Sequence, residues 1–418
     1  MLNEKLEPYL NKVTQGDCLV TLKSLPSNSV DLLCCDPPYS IAFCGHAWDK
    51  ALPSVEVWRE CLRVLRPGAF AFIMSSPRQD VLSQMIQRLG HAGFDTGFTS
   101  LYWTYASGFP KAMNISKAID RRAGHKRAGI LRTDGKATNS GSGRYRMNDG
   151  QDRSMQRVFE DGPPVSEQAK RLEGAYAGFQ PKPAVEIIIV CMKPLAEKSY
   201  VAQAVANTKG VTWLDDCRIP FAGLHDTEGG HFGGNQNGNA LFGKGQPSFR
   251  TTADSGGRFP ANLLVSNDVL NDGKVTHCND GGSRGSGQAF FGKRRGYQRN
   301  APNDSGSFSR FFDLDAWAKT LPFLLCAKAS KREKNARCGS NTHPTVKPLK
   351  LMAYLVMLGS RAGDIVVDPY AGSGSTLLAA KLLNRRFIGC ELSQEYIAIA
   401  NQRLTHCAPF TQERYPCW

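Results

Sequence analysis

The run Val30-Asp31-Leu32-Leu33-Cys34-Cys35 ends in Asp36-Pro37-Pro38-Tyr39, and this junction constrains the fold more than any other stretch of the chain. A short apolar run with such flanks is a buried strand, so the tetrapeptide sits where that strand runs out into a loop. The two prolines fix their own φ and hold the residue before each in an extended conformation. The outcome is a stiff loop presenting the Asp36 carboxylate, the Pro37 carbonyl and the Tyr39 ring. Two acceptors and one aromatic face suit a planar heterocycle held by an exocyclic amino group. A rigid strand-to-loop turn is the plainer reading of the same residues.

Around this junction the chain alternates. Lys12-Val13-Thr14-Gln15-Gly16-Asp17 reads as a short strand ending in an acid, followed by a helical segment from Cys18 to Leu25. Val55 to Leu65 has helical spacing and stops at Arg66-Pro67-Gly68; Ala69 to Met74 is then an apolar strand, Val81 to Leu89 an amphipathic helix, and Thr99 to Tyr105 a further strand. Ala184 to Met192 is β-branched enough for a central strand. Strands alternating with helices indicate an α/β sheet.

Two stretches break the pattern. From about 121 to 171 the chain is rich in Arg, Lys, Gly, Ser, Asp and Asn, and is expected to bury no core of its own. It reads either as a solvated insertion or as an arm that orders on phosphate. From 199 to 341, glycine-rich polar segments alternate with short apolar pieces such as Asn262-Leu263-Leu264-Val265. Basic and aromatic residues interleave in Phe290-Phe291-Gly292-Lys293-Arg294-Arg295-Gly296-Tyr297, a mixture that suits nucleic acid but also loosely packed loops. The chain thus divides into 1–198, a loop-rich module 199–341, and 342–418.

The last segment returns to strong signals. Leu349 to Leu358 reads as an amphipathic helix and Asp364 to Asp368 as a strand; Pro369-Tyr370-Ala371-Gly372-Ser373-Gly374 then opens a helix from Leu377 to Leu383. Arg386 to Glu391 is the next strand and Gln394 to Leu404 the last helix. A glycine turn between strand and helix, with an acid ending the following strand, is how doubly wound folds hold a nucleoside. Glu391 can accept from both ribose hydroxyls. No Lys-Ser or Lys-Thr follows the glycines, so the turn is not a Walker phosphate loop. Asp368, entering the turn, would repel phosphates but suits a ligand bearing a sulfonium and an ammonium.

Charge narrows the partner. The formal net charge is +15 over 418 residues, which points to a polyanion. No apolar run reaches the roughly 18 residues of a membrane span, and Met1-Leu2-Asn3-Glu4-Lys5 lacks a signal peptide's apolar centre, so a cytoplasmic address is expected. The 13 cysteines are scattered without a Cys-x-x-Cys pair, which gives neither a disulfide framework nor a metal site.

These motifs together resemble the S-adenosylmethionine-dependent amino-methyltransferases of DNA, in the β-arranged group whose catalytic Asp-Pro-Pro-Tyr precedes target recognition and whose cofactor loop comes last. Asp36, Pro37, Pro38 and Tyr39 match the catalytic loop. Asp368, Pro369, Tyr370, Ala371, Gly372, Ser373 and Gly374 match the cofactor loop, with Tyr370 where Phe is commoner. Glu391 falls on the ribose-binding acid and Asp17 on the residue at the adenine end of the cofactor. His343-Pro344-Thr345-Val346-Lys347-Pro348 matches the segment closing over the methionine end, which adds Thr345 and Lys347 to the expected cofactor site. The blocks around Ser107 to Lys111 and Lys182 to Ala184 look like those of phage-type members.

The resemblance implies an α/β, Rossmann-like fold with a seven-stranded mixed sheet, circularly permuted relative to other methyltransferases, with one reversed strand and an inserted loop-rich target-recognition module. Its strands ending at Asp36 and Asp368 should be neighbours at the switch point. It also implies double-stranded DNA as partner and a homodimer. Arg258, Arg284, Lys293, Arg294 and Arg295 are the candidates for DNA contacts in the module. The implied reaction is N6-methylation of a flipped adenine. N4-methylation of cytosine uses the same physics but is more often carried by a Ser in place of the Asp. A cytosine C5 enzyme would need a cysteine in the catalytic loop, and the only Pro-Cys here is Pro416-Cys417. A non-catalytic DNA-binding protein on this fold is a further alternative, separated from an enzyme by cofactor turnover.

Overall fold

The computed structural model of the chain describes residues 2–40, 49, 51–105, 112–128, 130–132, 145–146, 156–159, 162–179, 184–220, 257–271, 273, 276–277, 305–321, 335, 341–343, 345–405 and 407. Two compact units result, one formed by Met1–Ala106 with Val185–Trp418, the other by Ser107–Ala184.

The first unit is built on a mixed sheet. Its strands are β1 (Lys12–Gln15), β2 (Leu32–Cys35), β3 (Phe70–Ser75), β4 (Leu101–Thr104), β5 (Val185–Met192), β6 (Leu263–Val265), β7 (Ile365–Asp368) and β8 (Arg386–Glu391). The spatial order is β1-β8-β7-β2-β3-β5-β4-β6. Only β5 runs against its neighbours, pairing antiparallel with β3 and β4. Parallel strands covered on both faces must be apolar throughout. Accordingly every residue of β2, β3 and β7 is buried. Alternate side chains serve opposite faces: Leu32 and Cys34 join a cluster with Tyr354, Leu377 and Trp317, whereas Leu33 and Cys35 join one with Leu22, Trp58 and Met85. Asp31, a buried charge just before β2, accepts from Ile365 N at 2.9 Å and meets Lys209 Nζ at 3.0 Å.

The sheet differs from expectation in its count, with eight strands rather than seven. The added strand is Leu263–Val265, which pairs in parallel with β4. Leu264 and Val265 are buried, Val265 N donates to Phe312 O at 2.8 Å, and the indole N–H of Trp103 donates to Ser266 Oγ at 3.0 Å. A second piece of the loop-rich stretch also enters the core: the helix Leu314–Lys319 packs Trp317 edge-on to Tyr354, centroids 4.9 Å apart.

The helix Leu349–Gly359, expected to be amphipathic, is buried almost all round, because it lies between the sheet and neighbouring helices. Gly359 lets its end touch the sheet, since a Cβ there would stand 2.6 Å from Leu32 Cδ1. Among the described residues, no helix is long and apolar enough to cross a membrane.

The second unit contains the helices Ile115–Arg122 and Glu167–Arg171 and an antiparallel sheet of Ile130–Arg132, Gln156–Phe159 and Tyr145–Arg146. The stretch 121–171 is expected to bury no core of its own; in this unit Arg127 and the preceding Asp120 are buried, and their side chains pair at 2.7 Å. Asp120 also accepts from Val165 N and Ser166 N, each at 3.0 Å. A polar sequence thus closes a small interior around a satisfied ion pair, which composition alone does not reveal.

Candidate active site

β2 and β7 lie side by side, with Leu32 opposite Val366 and Leu33 opposite Val367. From this pair the chain order runs outward in both directions, through β7 to β8 on one side and β2 to β3 on the other. The helices that make these crossovers, Ser375–Leu382 and Val55–Val64, belong to opposite hydrophobic layers. That is a switch point, where the loops leaving the strand ends diverge and open a crevice. The loops are the ones headed by Asp36 and Asp368.

The Asp36 loop is held from several sides. Tyr39 donates its hydroxyl to Asp36 Oδ1 at 2.5 Å. The backbone N–H groups of Tyr39 and Ser40 donate to Asp49 Oδ1 at 2.7 and 3.0 Å. Lys347 brings its ammonium to Asp36 Oδ2 at 2.7 Å and to Glu186 Oε2, at the start of β5, at 3.2 Å. The same Nζ stands 5.5 Å from the Tyr39 ring centroid. Burial works against the Lys347 charge, but the Asp36 and Glu186 carboxylates outweigh it and hold the ammonium well above its ordinary pKa. Burial and the Asp36 charge likewise keep the Tyr39 phenol protonated.

The second loop is a glycine cradle. Gly372 and Gly374 adopt φ of +51° and +78°, the left-handed region that glycine enters without strain. A Cβ on Gly372 would also stand 2.8 Å from His343 Nε2. Gly372 N donates to Glu391 Oε2 at 2.8 Å, and Ser393 N to Oε1 at 2.9 Å. Each carboxylate oxygen retains acceptor capacity after one bond. The Ser373 carbonyl accepts from buried Arg403 at 2.5 Å, which anchors the cradle from below. Asp368 is buried and accepts from Tyr370 N at 2.9 Å. Burial first, then the Asp36 and Glu391 charges, push its pKa up to about 7 against hydrogen bonds that lower it.

The remaining expected residues fall into place unequally. Asp17 sits next to the Glu391 strand end, where Gly16 N donates to Glu391 O at 3.0 Å, and its carboxylate caps the following helix through Leu19 N at 2.9 Å. Tyr370 turns into the helical layer: its ring meets Trp58 edge-on at 6.3 Å and its hydroxyl meets the Cys18 thiol. Pro369 and Ala371 are part of the turn, with Ala371 N donating to Cys390 O at 2.9 Å. Thr345 N donates to His343 Nδ1 at 3.3 Å, and the His343 ring lies 4.4 Å from that of Tyr396. Arg258 directs its guanidinium to the carbonyls of Pro220 and Arg310 at 3.3 and 3.4 Å and lies over the Phe311 ring. Arg284, Lys293, Arg294 and Arg295 lie outside the described residues. Glu186, Asp49 and Arg403, which sequence reasoning did not single out, and His343, named there only within its segment, also border the candidate site. Of these, only His343 carries a local signal, standing at the head of the His-Pro-Thr segment.

Comparison with known proteins finds similarity mainly over the last part of the chain. The model of the N6/N4 DNA methylase family matches residues 288–402, which include the cofactor-type loop and Glu391. The type II methyltransferase M2.DpnII of Streptococcus pneumoniae is 45% identical over 62 residues, covering 15% of this chain and 23% of that one. The orphan methyltransferase M.BamHII of Bacillus amyloliquefaciens is 50% identical over 62 residues, with the same coverage of 15% and 23%. The match therefore spans less than a quarter of these methyltransferases. Among solved structures, the PvuII DNA methyltransferase (cytosine-N4-specific) aligns over 97% of this chain and 92% of its own, at 13% identity and a TM-score of 0.44. The M1.HpyAVI–SAM complex aligns over 94% and 98%, at 16% identity and a TM-score of 0.37.

Proposed function

We propose that the chain is an S-adenosylmethionine-dependent methyltransferase acting on the exocyclic amino group of adenine in double-stranded DNA. The observation that carries this reading is the meeting of the Asp36 loop and the Asp368 glycine cradle on adjacent strand ends, from opposite ends of the sequence. Its strong positive charge suits the DNA polyanion. The residues present fit the cofactor. The Asp36 and Glu391 carboxylates both act on Asp368, a local concentration of acidic groups that welcomes a cation and rejects a pyrophosphate. Glu391 would hold the ribose, Asp368 the cationic end, and Gly372 to Gly374 the close approach of the chain; Asp17, Thr345 and His343 border the same crevice.

When bound, S-adenosylmethionine supplies a methyl group on a positively charged sulfur. Asp36 and the Pro37 carbonyl accept the two hydrogens of the base amino group, drawing its nitrogen toward a tetrahedral state and restoring a lone pair otherwise delocalised into the ring. Attack of that nitrogen on the methyl group would form the nitrogen–carbon bond while the carbon–sulfur pair left with sulfur, and Asp36 would take the surplus proton from nitrogen and pass it to water. Tyr39 stacks on the flipped base and offsets part of its lost stacking, about 1–3 kcal/mol by the usual scale. Tyr39's hydroxyl bond to Asp36 fixes the ring and carboxylate relative to each other.

Sequence reading belongs, in this proposal, to the glycine-rich parts of 199–341, with Arg284, Lys293, Arg294 and Arg295 as donors. The basic stretch 121–171 contacts phosphate, which positions the enzyme without specifying sequence. The protein acts as a homodimer; a monomer by sedimentation at working concentration would remove that part. The test of the whole reading is transfer of a labelled methyl group to DNA. Wild type should label DNA, and Asp36→Ala should not, while still binding the cofactor. Absence of label with wild-type protein that binds both cofactor and DNA would overturn the reading.

A further inference from the structure

Lys347 presents a difficulty for the reaction just proposed, and its solution assigns a role to Glu186. Asp36 has to accept a hydrogen from the base amino group, yet both of its oxygens are engaged: Oδ1 by the Tyr39 hydroxyl at 2.5 Å and Oδ2 by Lys347 at 2.7 Å. Each oxygen keeps room for a further donor, so the base amino group would share Asp36 with the ammonium and compete with it for Oδ2. The ammonium cannot simply withdraw, because its side chain is only 10% exposed and a buried cation needs a partner. Glu186 supplies one at 3.2 Å from the same Nζ. Its position is fixed by β5, where it pairs with Trp103 of β4. Tyr105 lies in the same group: burial first, then the Glu186 charge, push its phenol up to about 12, and Lys347 opposes that shift.

Resting on the adenine methyltransferase reading, we propose that Glu186 is a positioning residue, the alternate seat of the Lys347 ammonium, which shifts wholly onto Glu186 when the base donates to Asp36. The shift is small, since Nζ already touches both carboxylates. It also suits the chemistry: as the amino nitrogen gains positive charge in the transfer, the neighbouring cation has moved from the carboxylate that must stabilise it.

The charge balance makes the proposal testable. With Glu186→Gln, the ammonium has Asp36 as its one carboxylate and competes with the base. KM for DNA should rise by about ten-fold or more, the usual scale of a charge-assisted hydrogen bond, with kcat at saturating DNA affected less. With Lys347→Met, Asp36 and Glu186 are left as facing carboxylates without the cation they share, so kcat should fall. The double variant E186Q/K347M has neither the competing ammonium nor the facing carboxylates, so its kcat/KM should exceed that of both single variants. Circular dichroism and thermal unfolding of all four full-length proteins show that each variant folds. A double variant no better than the worse single one overturns the proposal while leaving the methyltransferase reading intact. A wild-type protein that methylates no DNA overturns both.

Discussion

Cofactor affinity should depend on pH through Asp368. Its carboxyl is buried beside the charges of Asp36 and Glu391 and is pushed up to about 7. An acid whose folded pKa lies above its unfolded value binds extra protons in the fold, so the apoprotein should lose stability as pH rises from about 4 to about 7. Cofactor binding runs the other way. A ligand carrying a sulfonium and an ammonium is held by the ionised carboxylate, so its affinity rises with pH through this window and levels off above it. If only the ionised form binds, the ratio of affinities between about pH 8 and pH 5 is ~100-fold for a pKa near 7. Asp368→Asn keeps the acceptor that Tyr370 N uses and removes the charge. It should bind S-adenosylmethionine about ten- to a hundred-fold more weakly at pH 8, the range of a lost charge-assisted bond, and show little pH dependence. Calorimetry across this pH range, in two buffers of different ionisation enthalpy, reads both affinity and proton release. Equal pH slopes in wild type and Asp368→Asn would refute the reasoning.

Other perturbations separate the roles of neighbouring residues. Asp36→Ala should abolish methyl transfer with cofactor affinity nearly unchanged, whereas Glu391→Ala should weaken cofactor binding first; calorimetry alongside a transfer assay distinguishes them. Gly372→Ala places a Cβ 2.8 Å from His343 Nε2 at a φ of +51°, so it should impair cofactor binding more than Ser373→Ala, by the same calorimetric measurement. Gly389→Ala crowds Leu377 and Ala371 within the β8 layer and should cost about 1–3 kcal/mol in denaturant unfolding. Exchanging residues 221–256 and 278–304 for those of a relative should change which DNA site is methylated, read by sequencing that distinguishes modified bases. Neutralising basic residues of 121–171 should instead weaken all DNA binding and flatten its salt dependence by about 0.9 of a log unit per lost phosphate contact.

The sheet and its two loops were legible because their signals are local. A strand buried on both faces is a continuous apolar run, as at Leu32–Cys35 and Ile365–Asp368, and the proline pair and glycine turn mark where each ends. Leu263–Val265 was hidden because a three-residue strand has no usable period, and its place beside β4 is set by burial of Leu264 and Val265 against distant residues. The stretch 121–171 reads as polar because its interior is organised by Asp120 and Arg127 rather than by apolar side chains. Glu186 is one acid within an apolar strand, and its partner Lys347 is brought to it only by the fold. Arg403 was likewise one basic residue on a terminal helix until its guanidinium proved to lie beneath Ser373.

In the proposed reaction an amino group of a DNA base is methylated at Asp36. The most direct test is to incubate the full-length protein with unmodified double-stranded DNA and S-adenosylmethionine, digest the DNA to nucleosides and identify the product by mass spectrometry. N6-methyladenine is the predicted product, absent with Asp36→Ala. N4-methylcytosine as the main product would contradict the choice of base, and DNA without any methylated amino group would contradict the account itself.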